Sequence, residues 1–86
     1  MSWGLELFPS ARKGLRAIPR DVRERIAARI DGLVDDPRPR DARSLMGSMR
    51  GLRRLRVGEY RVVYRLDEVR KVVTVTDIAH GHDAYH

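Results

Sequence analysis

The sequence has no cysteine among its 86 residues, so neither disulfides nor thiolate zinc sites can stabilise it. No apolar run approaches the roughly 20 residues needed to cross a bilayer. The first ten residues, MSWGLELFPS, lack the basic start and long apolar stretch of a secretion signal. These absences predict a soluble, cytoplasmic protein with no membrane partner.

Lysine is also scarce. Of the 18 basic residues only Lys13 and Lys71 are lysines, and the net charge is +6. GC-rich coding favours arginine whatever the function, so the bias towards arginine says little by itself. The positive charge indicates an anionic partner, either a nucleic acid or an acidic protein. The functional argument therefore depends on where the arginines lie.

The first half of the chain predicts one strand and two helices. WGLELF alternates apolar and polar residues, as a strand does, and Ser10 is a plausible N-cap for the first helix. Ala11, Leu15 and Ile18 share one face of that helix. A second helix restarts at Pro19 and ends before DDPRPRD, whose prolines cannot continue it.

The second half predicts three strands after an irregular segment. Residues 42–51 lack periodicity and contain two glycines. The strands are expected at about 52–57, 60–66 and 71–78. The fold class is therefore α+β, one small domain with a mostly antiparallel sheet and two helices packed on one face.

The segment RLRVGEYRVVYRL, residues 54–66, predicts a hairpin with arginines on both arms. A type II′ turn at Gly58-Glu59 pairs Arg56 with Arg61, and side chains alternate between the two faces. One face is apolar, and the other carries Arg54, Arg56, Arg61 and Arg65. Like charges directly across a strand pair cost about 0.2–1 kcal/mol. Guanidinium groups suit phosphate oxygens, so the arginine-bearing face is predicted to bind phosphate. If the next strand continues in register, Arg61 lies beside Thr76 and Tyr64 opposite Val73.

The segments SARKGLRAIPRDVRERI and LRRLRVGEYRVVYRLDE, with a tail of histidines and a tyrosine, resemble the RelE/ParE toxin superfamily of type II toxin–antitoxin systems. The likeness is to the RelE-like branch and extends over nearly the whole chain, so residues 1–86 are expected to form a single RelE-like toxin domain. RelE-type members cleave mRNA in the ribosomal A site. The resemblance thus implies a metal-independent endoribonuclease without a cofactor, in which the 2′-hydroxyl attacks its neighbouring phosphate.

The resemblance also implies roles for individual residues. Arg56 and Arg61 would stabilise the phosphorane, while Tyr85 and a histidine, taken here as His82, would transfer protons. Which histidine does so stays open. Further RNA contacts are expected from Arg53, Arg54, Arg65, His80 and His86. The histidine spacings fit no common zinc pattern.

Two departures from the family pattern keep other functions open. Leu52 replaces a family lysine, and Gly81 and His82 occupy the usual pair of arginines. One alternative is a ParE-like toxin that poisons DNA gyrase without nuclease activity, and another is a non-catalytic module that binds RNA or an acidic partner. Either toxin function implies an acidic RelB- or Phd-like antitoxin, which would also be the chain that reads operator DNA. The RelE-like function adds mRNA on the ribosome as a partner.

Overall fold

A computed structural model describes residues 2–81 of the chain. Its helices and strands are, in order, β1 (Gly4–Leu7), α1 (Pro9–Arg16), α2 (Arg20–Gly32), β2 (Arg43–Ser44), β3 (Arg53–Val57), β4 (Tyr60–Asp67) and β5 (Val72–His80). A short 3₁₀ turn covers Gly47–Met49. Within the described part of the chain, no helix is long and apolar enough to cross a membrane. The predicted α+β class is confirmed.

The five strands form one mixed sheet in the order β1-β5-β4-β3-β2. β1 runs parallel to β5, and the other pairs are antiparallel. The predicted hairpin register is confirmed, with Arg56 opposite Arg61 and Leu55 opposite Val62. Gly58 has φ +59°, as the first central position of a type II′ turn requires.

Both helices lie on one face of the sheet and enclose the core. Ala11 within α1 and Ile18 just after it are buried, and Ile26 and Ile30 face inward from α2, as the apolar spacing predicts. They pack against sheet residues that are also buried: Leu55, Val57, Val62, Tyr64, Val73, Val75 and Ile78. This arrangement leaves the opposite face of the sheet without a helix over it in residues 2–81.

The predicted N-cap of α1 is wrong. The helix begins two residues earlier than a Ser10 cap implies, with Pro9 as its first residue and Phe8 at the N-cap position. Proline is favoured there because its missing N–H has no partner in a first turn. The Ser10 hydroxyl instead donates to the Thr76 carbonyl oxygen at 2.8 Å, which fastens α1 to β5.

The predicted register between β4 and β5 is also wrong. Tyr64 lies opposite Val75 rather than Val73. The connecting loop causes this shift, because Asp67 Oδ1 accepts hydrogen bonds from the backbone N–H groups of Val69 and Arg70. Lys71 closes the loop with φ +58°. Asp67 thus pairs with Val72 at the end of the ladder.

A β-bulge at Thr76 shifts the register once more, between Val63 and Tyr64 of β4. The Thr76 hydroxyl donates to the Val63 carbonyl oxygen at 3.2 Å, which satisfies an acceptor at the irregularity. Beyond the bulge, Asp77 lies opposite Val63, and Ala79 lies opposite Arg61. The prediction that Thr76 lies beside Arg61 is therefore wrong.

Residues 42–51, predicted to be irregular, contain the short edge strand β2. Arg43 lies opposite Arg54, and Ser44 opposite Arg53. The Arg53 guanidinium also donates to the Ser44 hydroxyl at 2.9 Å, which favours this pairing. β2 thus adds another arginine to the sheet.

Tyr64 couples the core to the loop after α2. Its ring is fully buried and its hydroxyl donates to the Pro37 carbonyl oxygen at 2.9 Å. Burial raises the pKa of Tyr64 above its ordinary value of 10.0, because it disfavours the phenolate. We expect Tyr64→Phe to cost about 1 kcal/mol at neutral pH through loss of this hydrogen bond.

The raised pKa of Tyr64 adds a pH dependence to this prediction. A raised folded-state pKa contributes stability below the unfolded-state pKa of about 10, and that stability is lost as the pH rises through the folded-state value. The free energy of unfolding is measured by urea denaturation at pH 8 and above pH 10. Between these pH values it should fall more for the wild type than for Tyr64→Phe. Equal losses would contradict the assignment.

Candidate functional site

The face of the sheet opposite the helices carries a cluster of arginines. Directly opposed residues in antiparallel strands share a face, so the pairs Arg43–Arg54 and Arg56–Arg61 lie on the same side of the sheet as Arg65. We call this the arginine face, defined by Arg43, Arg54, Arg56, Arg61 and Arg65. It contains all four arginines that the hairpin pattern predicts for that face, with Arg43 in addition.

Arg61 is held in place within this face. It is only 8% exposed. Its Nη1 donates to the His80 carbonyl oxygen at 3.1 Å, and its Nη2 lies 3.5 Å from Asp77 Oδ2. A guanidinium fixed in this way loses little conformational entropy when it binds an anion.

Arg56 lies at the tip of the hairpin, against the end of β5. It is exposed, and no hydrogen bond or ion pair ties it to another described residue. The Gly81 N–H donates to the Glu59 carbonyl oxygen at 2.6 Å, which holds the end of β5 at the hairpin turn. A Cβ atom at Gly81 would lie 2.9 Å from both Arg56 Nη1 and that carbonyl oxygen. The backbone of Gly81 thus comes unusually close to the Arg56 guanidinium.

Arg54 and Arg65 occupy different surroundings on the same face. The half-buried Arg54 has an Nε atom shielded from solvent, with no hydrogen-bond partner in residues 2–81. Val63, directly opposite Arg54, is 2% exposed although it is on the face opposite the helices. The exposed Arg65 places its guanidinium 5.2 Å from the centre of the Phe8 ring, within cation–π range.

Other predicted site residues lie away from the arginine face. Arg53 is opposite Tyr64 and therefore shares the helix-covered side, at its edge. The His80 ring packs edge-on against the Tyr60 ring, with centroids 5.2 Å apart, and belongs to the same side as Tyr60. The backbone carbonyl of His80, in contrast, accepts a hydrogen bond from Arg61. Tyr85, His82 and His86 lie outside the described residues.

The structure adds two residues that sequence reasoning missed. Arg43 lies in a segment whose two glycines and missing periodicity suggested a loop, so only its neighbouring arginines could have drawn attention to it. Asp77 reaches Arg61 because of the bulge at Thr76, which no sequence pattern revealed. Across residues 2–81, no group of three histidine, aspartate or glutamate side chains is placed to hold a metal ion.

Comparison with known proteins shows the family. A family model described as "ParE toxin of type II toxin-antitoxin system, parDE" matches residues 5–85. The chain therefore belongs to the RelE/ParE superfamily and is a toxin of a type II toxin–antitoxin system. The resemblance drawn from the hairpin and helix segments is thus confirmed. A search of curated proteins finds no match.

Solved structures of toxins share the fold. A RelE–RelB complex from the archaeon Pyrococcus horikoshii matches with a TM-score of 0.83 and 28% identity, over 98% of this chain and 100% of that one. A mutant of Escherichia coli RelE in the free state matches with a TM-score of 0.79 and 26% identity, over 98% of this chain and 88% of that one. The Mycobacterium tuberculosis RelBE2 complex, at 23% identity, has a TM-score of 0.85 over 93% of this chain and 99% of that one.

Proposed function

We propose that this toxin is a ribosome-dependent mRNA interferase of the cytoplasm. It would cleave by attack of the substrate 2′-hydroxyl on the adjacent phosphate, leaving a 2′,3′-cyclic phosphate and a free 5′-hydroxyl. The observation that supports this most strongly is the Arg56–Arg61 pair on the sheet face opposite the helices. The similar structures from Pyrococcus horikoshii and Escherichia coli, at 28% and 26% identity, are both of RelE proteins, which favours the same branch of the family.

The arginine pair suits the charge that develops in this reaction. The transition state is a phosphorane with more negative charge on its oxygens than the ground state, and preorganised cations stabilise it selectively. Arg61 supplies a fixed guanidinium, and the exposed Arg56 can move to meet the phosphate. Arg43 and Arg54 extend the positive charge along the sheet, where neighbouring phosphates of the strand would bind.

His82 and Tyr85, near the C-terminal end of the sequence, would carry out the proton transfers. Gly81 lies beside Arg56, and His82 follows it directly in the sequence. Tyr85 is four residues from Gly81, so chain length keeps its Cα within about 14 Å of that of Gly81. We propose Tyr85 and His82 as the acid–base groups, because their chain positions keep them within reach of a phosphate bound at Arg56.

A cognate antitoxin would control the access of RNA to the arginine face. The relatives from Pyrococcus horikoshii and Mycobacterium tuberculosis were solved as RelE–RelB and RelBE2 complexes. With a net charge of +6, the present chain suits an acidic RelB- or Phd-like partner that folds onto it. Such a partner would block RNA by covering the arginine face, and it rather than the toxin would read operator DNA.

A second candidate is a non-nuclease toxin that poisons DNA gyrase. The matching family description names ParE toxins. Leu52 and Gly81 also stand where RelE-type chains carry basic residues, and Asp77 offsets part of the charge of Arg61. These features reduce the positive charge available for phosphorane stabilisation.

Induction of the chain in a bacterium, followed by mapping of mRNA 5′ ends, separates the two candidates. We expect growth arrest with new 5′-hydroxyl ends inside coding regions within minutes, before any change in plasmid supercoiling. Arrest with intact mRNA and altered supercoiling would replace the interferase proposal with the gyrase one. The same culture expressing an empty vector gives the background of 5′ ends.

A further inference from the structure

An acidic side chain contacts the predicted phosphate-binding arginine. Asp77 Oδ2 lies 3.5 Å from Arg61 Nη2, and the Asp77 side chain is 43% exposed whereas that of Arg61 is 9% exposed. Charge-assisted N–H···O contacts are usually about 2.7–2.9 Å long, so this one is loose. A carboxylate thus occupies one edge of the guanidinium while staying accessible to solvent.

The bulge at Thr76 determines this position of Asp77. In a regular strand, alternation from buried Val75 would point Asp77 towards the helices and Ile78 away from them. The extra residue lets Val75 and Ile78 both remain in the core and turns Asp77 onto the arginine face, opposite Val63. Bulges often re-aim side chains near active sites.

Two hydrogen bonds stabilise the bulge. The Thr76 hydroxyl donates to the Val63 carbonyl, and the Ser10 hydroxyl of α1 donates to the Thr76 carbonyl. The carboxylate is therefore presented to Arg61 by a clamped piece of backbone and not by a mobile loop. Arg61 itself is anchored separately through its hydrogen bond to the His80 carbonyl, so it can stay in place when its contact with Asp77 is broken.

We propose that Asp77 is a specificity-determining residue, a counter-anion that occupies Arg61 in the free toxin and that a substrate phosphate must displace. This inference rests on the proposed function only in taking RNA as the natural phosphate ligand. A carboxylate beside the phosphate site repels any polyanion. Binding then requires additional contacts elsewhere, such as those a ribosome supplies, and isolated nucleic acid binds weakly.

Asp77→Asn tests the charge without changing the shape of the side chain. We expect the variant to bind a single-stranded oligonucleotide about three- to tenfold more tightly at low salt, because one repulsive charge next to the phosphate is removed. The gain should shrink as salt rises. The slope of log affinity against log salt should steepen by up to about 0.7, the value for one more phosphate contact in a single strand.

The probe is a fluorescently labelled all-2′-deoxy oligonucleotide, which cannot be cleaved by 2′-hydroxyl attack. Binding is measured by anisotropy at several salt concentrations with purified full-length toxin. The matched control is Glu6→Gln. It removes the same charge from the same face of the sheet, where Glu6 lies opposite Thr74 and 3.6 Å from Arg70 instead of Arg61. We expect no more than a twofold gain for this control.

A double-variant cycle ties the effect to Arg61. In an Arg61→Gln background, Asp77→Asn should gain no more affinity than Glu6→Gln does, because only the general repulsion of the oligonucleotide is removed and there is no Arg61 guanidinium to release. Asp77→Ser serves as a second variant if Asp77→Asn does not give the native thermal unfolding transition. Equal gains for Asp77→Asn and Glu6→Gln would overturn the proposal, as would weaker binding by both Asp77 variants. If the expected gain appears but the toxin leaves mRNA intact, the interferase proposal fails while this inference stands.

Discussion

Replacing Arg61 with alanine is expected to lower the rate of mRNA cleavage on the ribosome by about 100-fold or more, the usual loss when one preorganised transition-state donor is removed. Arg61 is the most constrained cation of the arginine face, held by the His80 carbonyl and Asp77. Because it is fixed before substrate arrives, its contribution should appear mainly in the chemical step. The measurement is the single-turnover rate on a programmed ribosome complex with toxin in excess.

The control for this prediction removes the same charge at a distance. Arg16 is exposed on α1, on the opposite side of the sheet, so Arg16→Ala should change the rate less than threefold. Arg61→Lys keeps the charge but not the forked geometry, and should fall between wild type and Arg61→Ala. Thermal melts must show that the variants are folded, since Arg61 is largely buried. A folded Arg61→Ala toxin that cleaves at the wild-type rate would rule out this site.

The hairpin could be predicted from sequence because its information is local. A glycine at the first turn position and apolar alternation that only Val63 interrupts leave only one register that buries Leu55, Val57 and Val62 together. The helices were predictable for the same reason, since their apolar spacing matches the faces that the structure buries. Local pattern therefore sufficed for most of the fold.

The wrong predictions concern the helix start and the strand register that non-local hydrogen bonds determine. Ser10 could cap its own helix, but its hydroxyl bonds to Thr76, which is 66 positions away. The β4–β5 register depends on Asp67 in the loop and on the bulge at Thr76, whose extra residue keeps Val75 and Ile78 both inside. More than one β4–β5 register would bury apolar residues, so side-chain alternation alone does not determine which register forms.

The candidate site was predictable only in part, for the same reason. The confirmed hairpin register places Arg54, Arg56, Arg61 and Arg65 on one face. Side-chain alternation already assigns Arg53 to the other face, so its inclusion among the phosphate contacts rested on charge alone. His80 was predicted to be part of a polar tail, whereas it is the last residue of β5 and its ring contacts Tyr60. The contact of Asp77 with Arg61 could not be predicted, because it depends on the bulge at Thr76.

Gly14 is expected to be the position where the smallest substitution does the most damage to stability. A Cβ atom at Gly14 would lie 2.3 Å from the Ile78 carbonyl oxygen, so α1 must move away from β5 to accept any side chain. The neighbouring core residue Ala11 and the Ser10–Thr76 hydrogen bond depend on the same close contact. We expect Gly14→Ala to destabilise the toxin by about 1–3 kcal/mol through overpacking, despite alanine's better helix propensity.

Gly32 provides the matched control, because it also lies in a helix but has open space around it. Apart from its chain neighbours and the backbone of its own helix, no described atom lies within 4 Å of a Cβ placed there. Gly32→Ala should therefore stabilise the toxin by about 0.4–1 kcal/mol, since it restricts the unfolded chain without a clash. Urea denaturation of the two variants measures both effects with the same chemical change. If Gly14→Ala were as stable as Gly32→Ala, the close approach of α1 to β5 would be wrong, and with it the clamp that sets the bulge and the position of Asp77.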